Sequence, residues 1–253
     1  MVRFSAFTLA CFLGWMTLTG CGTLPSQAQT VTPVASGDLE SQVLDIIRNN
    51  PEVILESLQN YQRQQQDQQR QAQQRVLDQL SQDPQAMIGQ SPTLGSPSQA
   101  IVLLEFSDYQ CPFCARAHEV LKVFMERNGD RVTLVYKHFP LTEIHNEALP
   151  AATAAWAAQQ QGRYWDFHDA LFAQQSRLGE ARYREIAQDL GLDVEQFNRD
   201  RTSPAALLAV NGDRELALQL GLRGTPSLFL NGQPLELPIT VESLESLVAN
   251  LTP

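Results

Sequence analysis

Among the 253 residues, the clearest chemistry lies in Cys111-Pro112-Phe113-Cys114. The run before it, Ile101-Val102-Leu103-Leu104-Glu105-Phe106, is nearly all apolar and suits a strand buried on both faces. Ser107 to Gln110 read as a turn. After the cysteines, Ala115, Ala117, Val120, Leu121 and Phe124 recur at helical spacing. Cys111 is therefore expected at a helix N-terminus just past a strand. The free N–H groups and the dipole of that end stabilise an anion. A thiolate there is the attacking species and also a good leaving group, and thiols so placed have pKa values lowered to roughly 3.5–7.5. Pro112 suits the first helical position. Cys114 lies one turn on, close enough to close a disulfide with Cys111. The pattern predicts thiol–disulfide exchange. Two weaker readings compete. Half a zinc site would need two more ligands, and His118, His138, His145 and His168 repeat no finger or ribbon spacing. A plain structural disulfide would add little to a domain with this much core. No resident metal is expected.

The other two cysteines, Cys11 and Cys21, sit in a targeting segment. Arg3 is the only charge in the first twenty residues, and Phe4 to Leu18 are mostly apolar. That run is short for a membrane span, which needs about 20 residues, and suits a secretory signal. It ends in Leu18-Thr19-Gly20-Cys21, which resembles a bacterial lipobox; an ordinary signal peptide that happens to contain Cys21 is the alternative. Residues 1–20 are thus read as a lipoprotein signal peptide, Cys21 as the lipidated residue, and 21–37 as an uncharged flexible tether. Cys11 leaves with the signal, Cys21 becomes a thioether, and only Cys111 and Cys114 remain as thiols.

Composition supports a folded chain with a real core: 43% of residues are apolar and 18% charged. With 18 Lys+Arg against 28 Asp+Glu, the net charge is −10, which excludes a general nucleic-acid binder because nothing repays the repulsion from phosphates.

Residues 38–83 read as a helical oligomerisation stalk. Leu39, Val43, Ile46 and Ile47 fall at helical spacing; Asn50-Pro51 restarts the pattern as N-cap and first helical residue. From there Ile54, Leu58, Tyr61, Gln65, Gln68, Ala72, Val76 and Leu80 form a seam that is polar in its middle. Ten of the sixteen residues from 59 to 74 are Gln. Disorder is the low-complexity reading, but Gln, Arg and Ala favour helix and no Gly or Pro intervenes. So narrow a seam has little to bury against itself and predicts association with identical chains. Residues 84–97 read as a linker. Beyond them come a second strand at Arg131–Tyr136, a helical block at about 143–222, a strand opening at Gly224-Thr225-Pro226, a turn at Asn231-Gly232, a return strand at Pro234–Leu237 and a last helix.

This order resembles the thioredoxin fold with a helical insertion, as in the DsbA-like disulfide oxidoreductases. The likeness covers about residues 98–253 and rests on the segment around Cys111-Pro-Phe-Cys114, on Tyr136-Lys-His-Phe-Pro-Leu141, on residues 161–172 (QGRYWDFHDALF) and on residues 224–232 (GTPSLFLNG). It implies an α/β thioredoxin-like catalytic domain with Cys111 as nucleophile and Cys114 as resolving thiol. It also implies a cis bond before Pro226, an uncommon isomer, and a Thr225 backbone that pairs with an extended substrate peptide. Glu105, six residues before Cys111, matches a buried acid that relays a proton to or from Cys114; a strand acid reaching solvent is the alternative. Phe113 stands where the strongest oxidants carry His, which argues against a strongly oxidising potential. The stalk resembles the N-terminal region of the trimeric Scs-type relatives, which implies a trimer.

The expected function is an envelope thiol–disulfide oxidoreductase, anchored on the periplasmic side of a bacterial membrane. It would act on protein thiols and disulfides, be recycled by a membrane redox partner, and need no cofactor beyond the Cys111–Cys114 pair. Oxidase and isomerase both remain open. The rival from another class is a non-catalytic scaffold or copper-handling module that binds Cu(I) through the two cysteines.

Overall fold

The computed structural model describes residues 36–251. The signal segment, Cys21 and nearly all of the tether lie outside these residues. The chain divides into two compact units, one ending at Leu58 and the other beginning at Gln59.

Helix α1 (Ser36–Asn49) and the opening of α2 (Pro51–Gln82) make up the described part of the first unit. Pro51 begins α2, but Asn50 does not cap it through its side chain. The Asn50 amide donates to the Ile46 carbonyl at 2.7 Å and so closes α1. Leu39, Val43, Ile46, Ile47, Ile54 and Leu58 are all at least 42% exposed. Among the described residues, nothing covers this apolar surface.

The second unit is built on a five-stranded sheet. It comprises β1 (Thr93–Gly95), β2 (Ile101–Ser107), α3 (Pro112–Asn128), β3 (Val132–His138) and α4 (Ala148–Gln159). Then follow α5 (Tyr164–Ala173), α6 (Glu180–Asp189), α7 (Val194–Arg201), α8 (Pro204–Gln219), β4 (Ser227–Leu230), β5 (Gln233–Pro234) and α9 (Val241–Ala249). The strand order is β1-β3-β2-β4-β5. β2 runs parallel to β3, with Ile101 opposite Val132, and antiparallel to β4, with Glu105 opposite Leu228. Every residue of β2 is buried, as a central strand with both faces covered requires.

Alternation along β2 sorts the core. Ile101 and Leu103 pack with Ala117, Leu121 and Phe124 of α3 and with Leu244 and Val248 of α9. Val102, Leu104 and Phe106 face the other way, onto Ala217, Leu220 and Leu80. Glu105 shares the parity of Leu103, so it lies on the α3 side. The inserted helices α4 to α8 occupy the crossover from β3 to β4, and α4 to α7 carry a separate core around Phe167, Ile186 and Phe197. The Ala-rich α4 buries eight of its residues, because small side chains let neighbouring helices close on it. Ser203 caps α8 by accepting from Ala206 N at 3.2 Å, with Pro204 at the first helical position.

Three boundaries differ from the sequence reading. The stalk does not stay separate as far as residue 83. Val76, Leu77 and Leu80 of α2 cover the second face of the sheet, and Leu80 is only 1% exposed. Gln73 Nε2 donates to the Leu220 carbonyl at 2.8 Å. The last turns of α2 are therefore part of the core of the second unit. Nor is 84–97 a plain linker, because it supplies β1, paired antiparallel with β3 through Leu94 and Leu134. Three residues with few apolar side chains give no strand periodicity, and Gly95 at φ 96° masks the strand further. The return strand is also short, ending at Pro234, which cannot donate to a ladder.

Candidate active site

The fully apolar β2 ends at Ser107, and the next three residues turn the chain into α3. Cys111 is the N-cap of α3, in extended conformation (φ −74°, ψ 122°), and Pro112 occupies the first turn. Both cysteines are free thiols. Cys111 is 4% exposed and Cys114 is fully buried.

The two thiols are set apart electrostatically. The Cys114 thiol hydrogen-bonds Cys111 and holds its pKa down at about 5, against the opposing effect of burial, with help from the backbone N–H groups of Cys114 and Phe113. Burial pushes the Cys114 thiol up, and the neighbouring Cys111 reinforces this. The Asp108 N–H points at Cys114 Sγ from 3.5 Å. Cys111 Sγ lies 3.4 Å from the Thr225 carbonyl, and the Thr225–Pro226 peptide bond is cis. Chain segments more than a hundred residues apart thus meet at Cys111.

Glu105 is 2% exposed, and its Oε1 has no hydrogen-bond partner. Burial lifts its carboxyl to about 7. A strand acid that reaches solvent is ruled out. The group sits in the interior, on the α3 side of the strand that feeds the cysteines, and can hold or release a proton near neutrality.

A groove of about 830 Å³ runs beside the nucleophile, lined by Phe113, Arg116, Val120, Pro226, Leu237 and Ile239. Phe113 is 61% exposed, with the Arg116 guanidinium 4.4 Å from its ring centroid. The groove is apolar with one cation at its edge, and it can take an extended apolar segment of another chain.

Several residues that hold this site carried no sequence signal. The Asp108 carboxylate is fully buried and accepts from Gln110 N (2.7 Å), Leu141 N (3.0 Å) and His145 Nδ1 (2.8 Å). It fixes the turn that delivers Cys111. Gln175, just after α5, donates to the Tyr109 and Cys111 carbonyls, each at 2.8 Å. This ties the helical insertion to the active-site loop. Such contacts cross long sequence gaps, and no local spacing announces them.

A family model described as DSBA-like thioredoxin domain matches residues 102–251, more than half of the chain. The chain belongs to this family. A thioredoxin-like oxidoreductase from Silicibacter pomeroyi DSS-3 is 32% identical, with a TM-score of 0.60 over 66% of this chain and 95% of that one. ScsC from Proteus mirabilis, in a transitional conformation, is 23% identical, with a TM-score of 0.59 over 84% of this chain and 94% of that one. That second likeness shows a shared fold. Na(+)/H(+) antiporter NhaA 1 from Mycolicibacterium gilvum is 37% identical over 141 residues, which are 55% of this chain and 23% of that protein. The DsbA-like chain therefore spans less than a quarter of that relative's length. Among the described residues, no helix is long and apolar enough to cross a membrane.

Of the residues singled out in the sequence, the fold brings Cys111, Cys114, Thr225 and Pro226 together and buries Glu105 on the α3 side of β2. Cys21 lies outside the described residues.

Proposed function

We propose that this DsbA-like chain catalyses thiol–disulfide exchange on protein substrates in the bacterial cell envelope. The observation that carries the reading is Cys111 itself: a thiol at a helix N-terminus, held at about pKa 5, against the Thr225 carbonyl and the cis Pro226. At neutral pH it is a thiolate. It attacks one sulfur of a substrate disulfide, forms a mixed disulfide and releases the other substrate sulfur as a thiolate. Cys114 then loses its proton, with Glu105 as acceptor, attacks Cys111 Sγ and frees the substrate dithiol. The reverse sequence donates the disulfide. The groove beside Pro226 holds the substrate chain, with the Thr225 backbone available for pairing.

The chain is anchored through a lipid on Cys21 and recycled by a membrane redox partner. Phe113 brings no charge to the thiolate, which favours reshuffling over strong oxidation. The test is to measure the Cys111–Cys114 reduction potential together with the recovery of activity by scrambled ribonuclease. Recovery of native pairings, blocked when Cys111 is replaced by Ser, supports the reading. A protein inert in both directions at any redox poise refutes it.

Reshuffling benefits from several sites facing one client, because this raises the local thiol concentration. The exposed residues Leu39, Val43, Ile46 and Ile47 support assembly of identical chains into a trimer. The fold sharpens this test. Removing residues 38–58 should give monomers with intact exchange activity. Removing 38–82 should also strip Leu80 and its neighbours from the sheet; loss of a buried Leu side chain alone costs about 3 kcal/mol. Light scattering and thermal melting separate the two. A parent protein that is already monomeric at micromolar concentration rejects the assembly.

A further inference from the structure

The exchange mechanism leaves one cluster of titratable side chains unused, two of them buried imidazoles. A cavity of about 320 Å³ lies at α3 and α5, lined by Glu105, His118, Trp165, His168 and Asp169, among others. His118 sits on α3, four residues after Cys114; His168 and Asp169 are adjacent on α5. One nitrogen of each imidazole and one carboxylate oxygen of Asp169 all fall within 4.8 Å of one another. His118 Nε2 is 3.7 Å from Asp169 Oδ1.

The details suit ligation. His168 Nδ1 is 3.1 Å from the Tyr109 hydroxyl, which is 2.9 Å from the Tyr164 hydroxyl. With Nδ1–H donated along this chain, Nε2 keeps its lone pair; a metal-bound His is oriented by such a partner on its other nitrogen. Burial disfavours the charged form of both imidazoles, and the neutral form is the one that binds metal. Lys122 takes the second oxygen of Asp169, at 3.4 Å, and leaves Oδ1 facing His118. A second, independent observation comes from Glu105. This carboxyl lines the same cavity, is 2% exposed and has an oxygen with no partner.

Aromatic packing alone explains less. His118 stacks on Phe172 at 4.9 Å, and His168 meets Tyr136 edge-on at 4.9 Å. Ring packing gives no reason for two imidazoles and a carboxylate to converge on a space that a buried acid also lines, and the Tyr109 hydrogen bond takes up only one nitrogen of His168. We propose that His118, His168 and Asp169 form a binding site for a divalent transition-metal ion, joining α3 to α5 beside the cysteine pair. Two nitrogens and one oxygen suit zinc or another borderline cation over calcium or magnesium. Three protein ligands leave a coordination position open toward the cavity. The site is separate from any binding by the two thiols, and it places a dication one turn along α3 from Cys114.

The test is calorimetric titration of Zn²⁺ into the detergent-solubilised full chain, with Cys111 and Cys114 closed as a disulfide and every other thiol alkylated. We expect one ion per chain. His118→Gln and Asp169→Asn should each weaken binding by about tenfold or more, whereas Lys122→Gln should tighten it by freeing the carboxylate. Asp169 is 44% exposed on its helix, so Asp169→Asn keeps the fold even if His118→Gln disturbs it. Zinc should also raise the melting temperature of the parent and not of Asp169→Asn. Failure to bind millimolar zinc, or an affinity for folded Asp169→Asn within about twofold of the parent, overturns the proposal.

Discussion

Cys111 and Cys114 share one helix, one turn and one dipole, yet the structure drives their thiols in opposite directions. Cys111 terminates α3, where N–H groups and the second thiol converge on its sulfur, and it falls to about 5. Cys114 lies in the same first turn but has no exposure, and there burial dominates. The helix N-terminus favours an anion only within its first turn and only where solvent or hydrogen bonds take up the charge. Three residues of chain thus separate a thiol held well below its ordinary pKa from one pushed above it. Glu105 belongs with the second. It too is buried, raised to about 7, and free of a partner at Oε1. The rim of the site is set to attack, and its floor is set to control a proton.

The largest expected effect breaks the rim. Cys111→Ser should abolish exchange, whereas Cys114→Ser should let the first attack proceed and trap mixed disulfides, visible as higher-mass species on non-reducing gels. Full turnover by Cys111→Ser would end the mechanism. The pH dependence sharpens the contrast. Alkylation of the reduced protein should titrate with a midpoint near pH 5 and modify Cys111 first. Because the folded pKa lies below the ordinary 9.0, the thiolate adds stability that is complete above pH 9 and lost as the pH falls through about 5. The reduced protein should therefore melt at higher temperature as the pH rises across that window, and Cys111→Ser should flatten the rise.

A smaller effect is expected at the floor. Glu105→Gln keeps the shape and removes the proton acceptor, so resolution of the mixed disulfide should slow by about 10²-fold. Stability should move the other way. A carboxyl raised from 4.5 to about 7 contributes stability below pH 4.5 and loses it as the pH rises through about 7. The Gln variant escapes that penalty. It should melt with the parent near pH 4 and gain roughly 3 kcal/mol at pH 8. A variant slowed in exchange but no more stable at pH 8 would show that Glu105 does not carry a buried charge there.

The legible part of this molecule follows from what a strand or helix displays locally. The apolar run of β2, Pro112 after Cys111, and Gly224-Thr225-Pro226 before β4 each mark an element by its own residues, and the resemblance they carry points to the fold. Glu105 is singled out only through the family resemblance, and its burial follows from its place in a strand covered on both faces. The missed features are all meetings of distant segments. Val76, Leu77 and Leu80 continue the same helical seam as Leu58, and nothing in their spacing says that one half of α2 is covered by the sheet and the other half is not. β1 is three residues long and below any period. His118 and His168 stand fifty residues apart, so a search by ligand spacing passes over them, and only the packing of α5 on α3 brings them together.

The smallest expected effect falls on the join between rim and insertion, at Gln175. Its amide donates to the carbonyls of Tyr109 and Cys111, at 2.8 Å each. The Cys111 carbonyl also accepts from Ala115 N at 3.2 Å, the first helical hydrogen bond of α3. The insertion therefore grips α3 at the turn that aims N–H groups at the nucleophile. Gln175→Ala removes two neutral hydrogen bonds, a loss of about 1–2 kcal/mol when solvent takes their place. If the grip only adds stability, melting falls and Cys111 titrates as before. If it aims the helix end, the alkylation midpoint should also move upward from about 5, and exchange should slow by a few-fold, while Glu105→Gln leaves that midpoint in place. The two substitutions then separate the rim from the floor by one measurement, the pH at which Cys111 becomes reactive.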